Sequence, residues 1–322
     1  MRAKRESVIL IAIMTSVVIM AGDIKFTISD GVNNDSVKYK MESSLSRILN
    51  EVNAAQKVGR SLNFTAMNIN DCAQQSMSKL WENSPFVCTD EDIVEHCITT
   101  GTGYQVRNIP MMMKPRDERG SNDDEYQEAV FNFDKNGNID NFYLSIPMNL
   151  YVNVINSNLE LTDLRRRQLI LDFVEQYQTA YIQKDIEFIS QVFSEDQLVF
   201  TGKMKTTKLK DGILPTRLQD IKQNKEKYIR NLRRVFQRNS NIKVSFSDIE
   251  VMRHLVNPDF YGVTLLQSWT CDKYHDSGYF FMLWDFTIEE APEILIRTWQ
   301  PDMIGGKPLP KDEVFSLSDF DI

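Results

Sequence analysis

The sequence predicts an α+β protein of two units. An N-terminal unit of helices plus an antiparallel hairpin comes first, followed by helices and a run of long antiparallel strands. Three observations carry this. Residues 165–193, RRRQLILDFVEQYQTAYIQKDIEFISQVF, read as a long amphipathic helix, a tight break at Lys184-Asp185 and a short second helix. Beyond Asn239-Ser240 come segments rich in β-branched and aromatic residues, separated by hairpin-sized gaps. In the first half, Asp134-Lys135-Asn136-Gly137 between two alternating apolar runs is a strong hairpin signal. A length of 322 residues suits two domains, and 42% apolar with 25% charged residues is a globular composition.

The first elements follow in order. Arg2, Lys4 and Arg5 precede the apolar run Val8–Gly22, the pattern of an export signal over residues 1–22. That run is shorter than the roughly 20 residues that comfortably span a bilayer. Cleavage after Ala21 or Gly22 and retention as a signal-anchor both stay open. Either places the rest of the chain outside the cytoplasm, in the periplasm or cell envelope. Residues 23–36 read as a polar linker, and 37–155 as the N-terminal α+β domain. Leu45, Ile48, Leu49, Val52 and Ala55 share one helix face, which Gly59 ends. Ile69, Cys72, Ala73, Met77, Leu80 and Trp81 share the stripe of a second helix, with Asn68 or Asn70 as cap; at that apolar-face position Cys72 can equally be a buried free thiol or a disulfide partner. A short third helix is expected around Asp90, then an extended Tyr104–Met113, with Pro110 at an edge or interruption. Strands Ala129–Phe133 and Ile139–Ile146 flank the Asn-Gly turn. A calcium loop is excluded there, because glycine falls fourth and Leu144 stands where the bidentate glutamate is needed.

In the second unit, 163–300, Leu169, Phe173, Tyr177 and Tyr181 recur at four-residue spacing, with Ile170 and Val174 widening the stripe. Asp185 can cap the next helix. A short strand at Gln197–Thr201, a polar basic loop at Met204–Leu218 and a third helix through Ile221, Tyr228, Ile229, Leu232, Val235 and Phe236 come next. Strands are expected at Ile242–Leu255, Phe260–Thr270, Gly278–Thr287 and Glu293–Trp299. Residues 301–322 read as a tail, with an edge strand at Val314–Ile322.

The stretch LILDFVEQYQTAYIQKDIEFISQVFSEDQLVFTG, with Phe173, Tyr177, Asp185, Phe193 and Gly202, resembles the nuclear transport factor 2-like superfamily, which includes ketosteroid isomerase and polyketide cyclase relatives. The resemblance covers about 163–300. The whole chain also resembles exported bacterial proteins that pair such a domain with an N-terminal α+β unit. The resemblance implies a cone of helices on a curved antiparallel sheet, with a cavity between them. In isomerase relatives an aspartate acts as base.

Here the strand-borne carboxylate is Asp285, which shares a face with Tyr279, Phe281 and Leu283 because side chains alternate. Phe173, Tyr177 and Tyr181 would complete the pocket wall. Pairing with Arg297 at a strand end is the bland alternative for Asp285. The other face, Phe280, Met282, Trp284 and Phe286, is apolar and reads as an interface, covered by the N-terminal unit or by a second copy of the chain.

Other signals are weaker. His254, Asp272 and His275 fall at hairpins, where solvated polar residues are common. Cys72, Cys88, Cys97 and Cys271 allow disulfides in an oxidising compartment but show no CxxC, so neither a structural metal nor a cofactor motif is expected. Lys203–Arg238 is the one basic stretch in a chain of net charge −8, and could meet an anionic surface; the acidic balance and export signal argue against nucleic acid. Asn34 and Asn63 begin glycosylation sequons. The functional expectation is a non-catalytic ligand-binding or protein-interaction module of the cell envelope. An isomerase- or cyclase-like enzyme acting on a small apolar ligand, with Asp285 as base, is the alternative.

Overall fold

The computed structural model describes residues 23–114, 124–155, 160–191, 193–209, 212–271 and 274–320, with only the backbone path over 194–223. The segment 1–22, Asp272 and the side chains of the basic residues 203–222 lie outside this description.

The segment read as a linker contains a strand. In β1 (Lys25–Ile28), Phe26 and Ile28 alternate into the core and the strand pairs in parallel with Asp92–Glu95. Asn34 caps α1 (Asp35–Val58), accepting from the N–H groups of Ser36 and Val37, and Gly59 closes it at φ 67°. Asn70 caps α2 (Asp71–Asn83) in the same way. Cys72 is exposed, contrary to expectation: Ala73, Met77 and Leu80 define the buried stripe, and a residue one step away points about 100° off it.

Around Asp90 the chain forms strands instead of a helix: β2 (Phe86–Val87), β3 (Asp92–Glu95) and β4 (Cys97–Thr99). Neighbouring strands supply partners there that a short isolated helix would lack. A meander follows, β5 (Gly103–Met113), β6 (Glu125–Asp134) and β7 (Ile139–Leu144), in the order β2-β5-β6-β7 with β4 also on β5. Pro110 falls in the gap between β4 and β2, where its missing N–H costs no ladder bond. The hairpin turn is held by Asp134, whose Oδ1 accepts from the N–H groups of Asn136 and Asn138, with Gly137 at φ 77°.

After α3 (Met148–Ile155) come α4 (Leu161–Gln183) and α5 (Ile186–Gln191). The break between the last two is Lys184, in the left-handed region at φ 58°, and Asp185 then caps the turn through the Phe188 N–H. The polar stretch expected as a loop is a long hairpin, β8 (Phe193–Leu209) and β9 (Gly212–Asn224). A hairpin satisfies its backbone groups without an apolar face, so the hydrophobic pattern gives no sign of it. Then come α6 (Lys225–Arg238), β10 (Ile242–Arg253), β11 (Phe260–Cys271), β12 (Tyr274–Asp285) and β13 (Glu293–Pro301). The six strands lie in the order β10-β11-β12-β13-β8-β9, antiparallel except for β13 on β8. With α4 and α6 packed on one face of the sheet, the second unit has the α+β arrangement of helices on an antiparallel sheet that the sequence predicts.

The expected last edge strand is absent from the described residues. Residues 311–313 and 317–319 are single 3-10 turns, and Phe315, Leu317 and Phe320 lie against Phe281 and Leu283 on the outer face of the sheet. Gln300 ties this segment down, accepting from Phe315 N–H and donating to Glu313 O.

Helix α4 is buried on two sides. Ile170, Phe173, Val174, Tyr177 and Tyr181 face the second sheet, while Leu169 is exposed. Asp172, Glu175 and Thr179, one helical turn apart, face the first unit. There Arg107 of β5 forms a two-pronged ion pair with Glu175, whose Oε1 also accepts from Ile146 N–H. Asp172 accepts from Gln105 and Tyr143 at 3.1 and 3.2 Å. Burial pushes the Glu175 carboxyl up to about 7 against the pull of Arg107, and raises that of Asp172.

Candidate functional site

The face assignment of β12 is the reverse of the expected one. Phe280, Met282, Trp284 and Phe286 point into the cone and pack with Phe173, Tyr177 and Tyr181. They are core, not an interface. Phe281 and Leu283 point outward beneath Leu317, and Tyr279 and Asp285 share their side by alternation. Asp285 instead holds the turn after its strand, its Oδ1 accepting from Thr287 N–H at 2.7 Å. Opposed residues of adjacent strands share a face. Met282 faces Arg297 in the register and Asp285 faces Glu293, so Arg297 is an inner-face residue and does not pair with Asp285. Alternation separates two faces but does not say which one the helices cover, and both are apolar here.

The narrow end of the cone is filled by aromatic rings. An open cleft of about 1040 Å³, with both apolar and charged lining residues, lies between α6 and the ends of β11, β12 and β13. Its floor is Arg297, 6% exposed. The guanidinium lies 4.8 Å from the Tyr228 ring centroid and 4.4 Å from that of Phe280, and its Nε donates to the Tyr177 hydroxyl at 3.2 Å. No carboxylate pairs with it among the described residues. Desolvation opposes its charge, yet the surrounding phenols hold its pKa above the ordinary value, so it stays a cation.

Three tyrosines extend from this cation. Tyr177 and Tyr181 bond at 2.6 Å, and Tyr181 bonds in turn to Tyr228. Nε can only donate, so Tyr177 accepts from it. The orientation that uses every donor runs Arg297 to Tyr177 to Tyr181 to Tyr228, leaving the last phenol proton for the cleft. Burial pushes the Tyr177 and Tyr181 hydroxyls well above the usual phenol range, so both remain protonated donors.

Gln267, 7% exposed, also lines the cleft, and its Oε1 is buried with no partner. A buried acceptor left unpaired costs about 1–3 kcal/mol unless something donates to it. Trp269 and Trp299 supply flat walls. Gly278 leaves room beside Trp299: a Cβ there would fall 2.3 Å from Gln300 O and 2.8 Å from the Trp299 ring. The rim carries Arg234 and Arg238 of α6.

Of the residues singled out in the sequence, Tyr181 lines this cleft and Tyr177 lies behind it. His254 accepts from Asn257 N–H within its hairpin, and His275 is exposed and bonded to Thr270. Cys88 and Cys97 are buried, where desolvation lifts their thiols to about 11, and no described cysteine is in a disulfide. No group of metal-ligating residues occurs among the described residues. Arg297, Tyr228, Gln267, Trp269 and Trp299 were not singled out as pocket residues. A signal existed for one of them: Arg297 is the lone charge in the apolar run Ile294–Trp299.

The fold and cleft define a two-unit α+β protein whose second unit is a cone open at a cationic end. No protein-family profile matches the chain, and no curated protein matches it. Solved structures are similar over part of it. Bd1075 of Bdellovibrio bacteriovorus is 20% identical, with a TM-score of 0.33, over 44% of this chain and 43% of that one, so the chain spans less than half of that structure. A nuclear transport factor 2-like protein of Cytophaga hutchinsonii is 14% identical over 42% of this chain and 98% of its own, at a TM-score of 0.32. A protein described as a putative scytalone dehydratase, from Novosphingobium aromaticivorans, is 14% identical over 46% and 92%, at 0.34. What those proteins do is theirs alone.

Proposed function

We propose that this chain is a binding module for a small organic ligand that enters the open end of the cone and presents an anionic group to Arg297. One observation carries the proposal: a buried guanidinium with one hydrogen bond, stacked on rings and facing no carboxylate among the described residues. Holding a bare cation out of water costs several kcal/mol, and a hydrophobic side chain would serve the fold as well or better. An incoming carboxylate would meet the free prongs of the guanidinium and the Tyr228 hydroxyl, while Gln267 Oε1 would accept from a donor on the same ligand. With Asp285 on the outer face, the general-base alternative loses its base.

The setting we propose is the cell envelope, supported by the basic flank and apolar run of residues 1–22. Fractionation of the native host tests it, and recovery of the full-length chain in the cytosolic fraction alone would refute it. Calorimetric titration of the full chain tests the binding. Benzoate is expected to bind and the isosteric benzamide not to. Equal binding of the two would remove the anion reading.

A further inference from the structure

Resting on that anion reading, we infer that the ligand of this cleft carries two acidic groups, the second held at the rim by Arg234 and Arg238. The two arginines are four residues apart and lie on one face of α6, the face that lines the cleft. Like charges at that spacing repel, so the pair is a cost to the helix by itself. Neither makes an ion pair or side-chain hydrogen bond among the described residues, whereas Arg230, a turn earlier and away from the cleft, is paired with Glu226 at 3.1 Å. Asn231 and Val235 lie beside them on the same wall.

The two cationic zones are set apart along α6. Arg297 stacks on Tyr228, near the start of α6. Arg234 and Arg238 lie six and ten residues further on, roughly 9 and 15 Å along the helix axis. The indoles of Trp269 and Trp299 line the same cleft. A flat organic body with an acid at each end meets all three features at once. The one acidic side chain among the lining residues, Asp276, is already engaged by the Tyr274 hydroxyl at 2.6 Å and by Ser277 N–H at 3.0 Å. The whole chain stands at −8, so three arginines around one cleft run against the charge of the molecule. Such a cleft concentrates anions, and divalent ones most.

The experiment is calorimetric titration of the full chain with three ligands of one shape: the para,para′-dicarboxylate of biphenyl, its monoamide and its diamide. The dicarboxylate is expected to bind about tenfold more tightly than the monoamide. In the double variant Arg234→Gln, Arg238→Gln that ratio should collapse toward one. Both positions are exposed on α6, and a circular dichroism melt checks that the variant folds. Equal affinity of dicarboxylate and monoamide, with the diamide silent, would overturn the two-acid inference and leave the Arg297 reading standing. Tight binding of the diamide, or binding of none of the three, would overturn both. A dicarboxylate preference that survives the double variant would also sink the assignment to Arg234 and Arg238.

Discussion

Arg107 and Arg297 are both buried, at 3% and 6% exposure, but in opposite surroundings. Arg107 lies between the two units, clamped by both oxygens of Glu175, with Tyr151 beneath it at 4.0 Å. Arg297 lies at the floor of an open cleft with phenols and no described carboxylate around it. The first cation is neutralised from within the chain and holds the units together. The second meets no described carboxylate, which is the observation behind the proposed anion site. Burial is common to both arginines, so the difference in counter-charge is what separates them.

The comparison breaks if the two sites respond alike to mutation. At pH 8, Glu175→Ala should cost about 3–5 kcal/mol in urea unfolding, because it strands Arg107 in a dry interface. A loss under 1 kcal/mol would mean that the pair contributes little. Arg297→Met should behave differently. Benzoate affinity should fall about a hundredfold, while the unfolding free energy moves by no more than roughly 1 kcal/mol or rises. A collapse of stability with binding retained would reverse the two assignments.

A pH titration sharpens the contrast. Burial raises the folded-state pKa of Glu175 to about 7, above the 4.5 of the open chain. Between those values the folded state binds more protons, so stability should rise by roughly 1–3 kcal/mol as pH falls from 8 toward 5 and be lost as pH rises through 7. Asp172 is raised in the same direction. Arg297 does not titrate in this range, so Arg297→Met should leave that slope unchanged. The smallest effect is expected at Lys184, the left-handed residue that ends α4. Lys184→Gly should stabilise by under 1 kcal/mol, reduced by loss of the bond from Lys184 Nζ to Ser240 O. A destabilisation would show that this bond outweighs the backbone strain.

The legible parts of the molecule were those with a local cause. The Asn136-Gly137 turn, the caps at Asn70 and Asp185, and the stop at Gly59 each depend on chemistry within a few residues. The strand in 25–28 was hidden because three alternating apolar residues in a polar segment are too few to stand out. Of the hairpin at 193–224 only Gln197–Thr201 was legible, because the rest of its polar sequence shows no face. At the site, Phe173, Tyr177 and Tyr181 stood out through their helical spacing. Tyr228 also shows helical spacing, but only the packing brings its hydroxyl to Tyr181.

The sequence by itself determined the caps and turns with a local cause, the long helix with its break at Lys184-Asp185, and the alternation along Gly278–Phe286. It could not determine which side of that strand was inside. Alternation has a period of two and no sign, so Asp285 and Phe280 exchange roles when the sheet is turned over. The tertiary structure decided that by placing α4 and α6 against Phe280 and residues 315–320 against Phe281. It also decided which buried arginine meets a carboxylate. Arg107 and Glu175 are 68 residues apart, and only the docking of α4 on the first sheet brings them together.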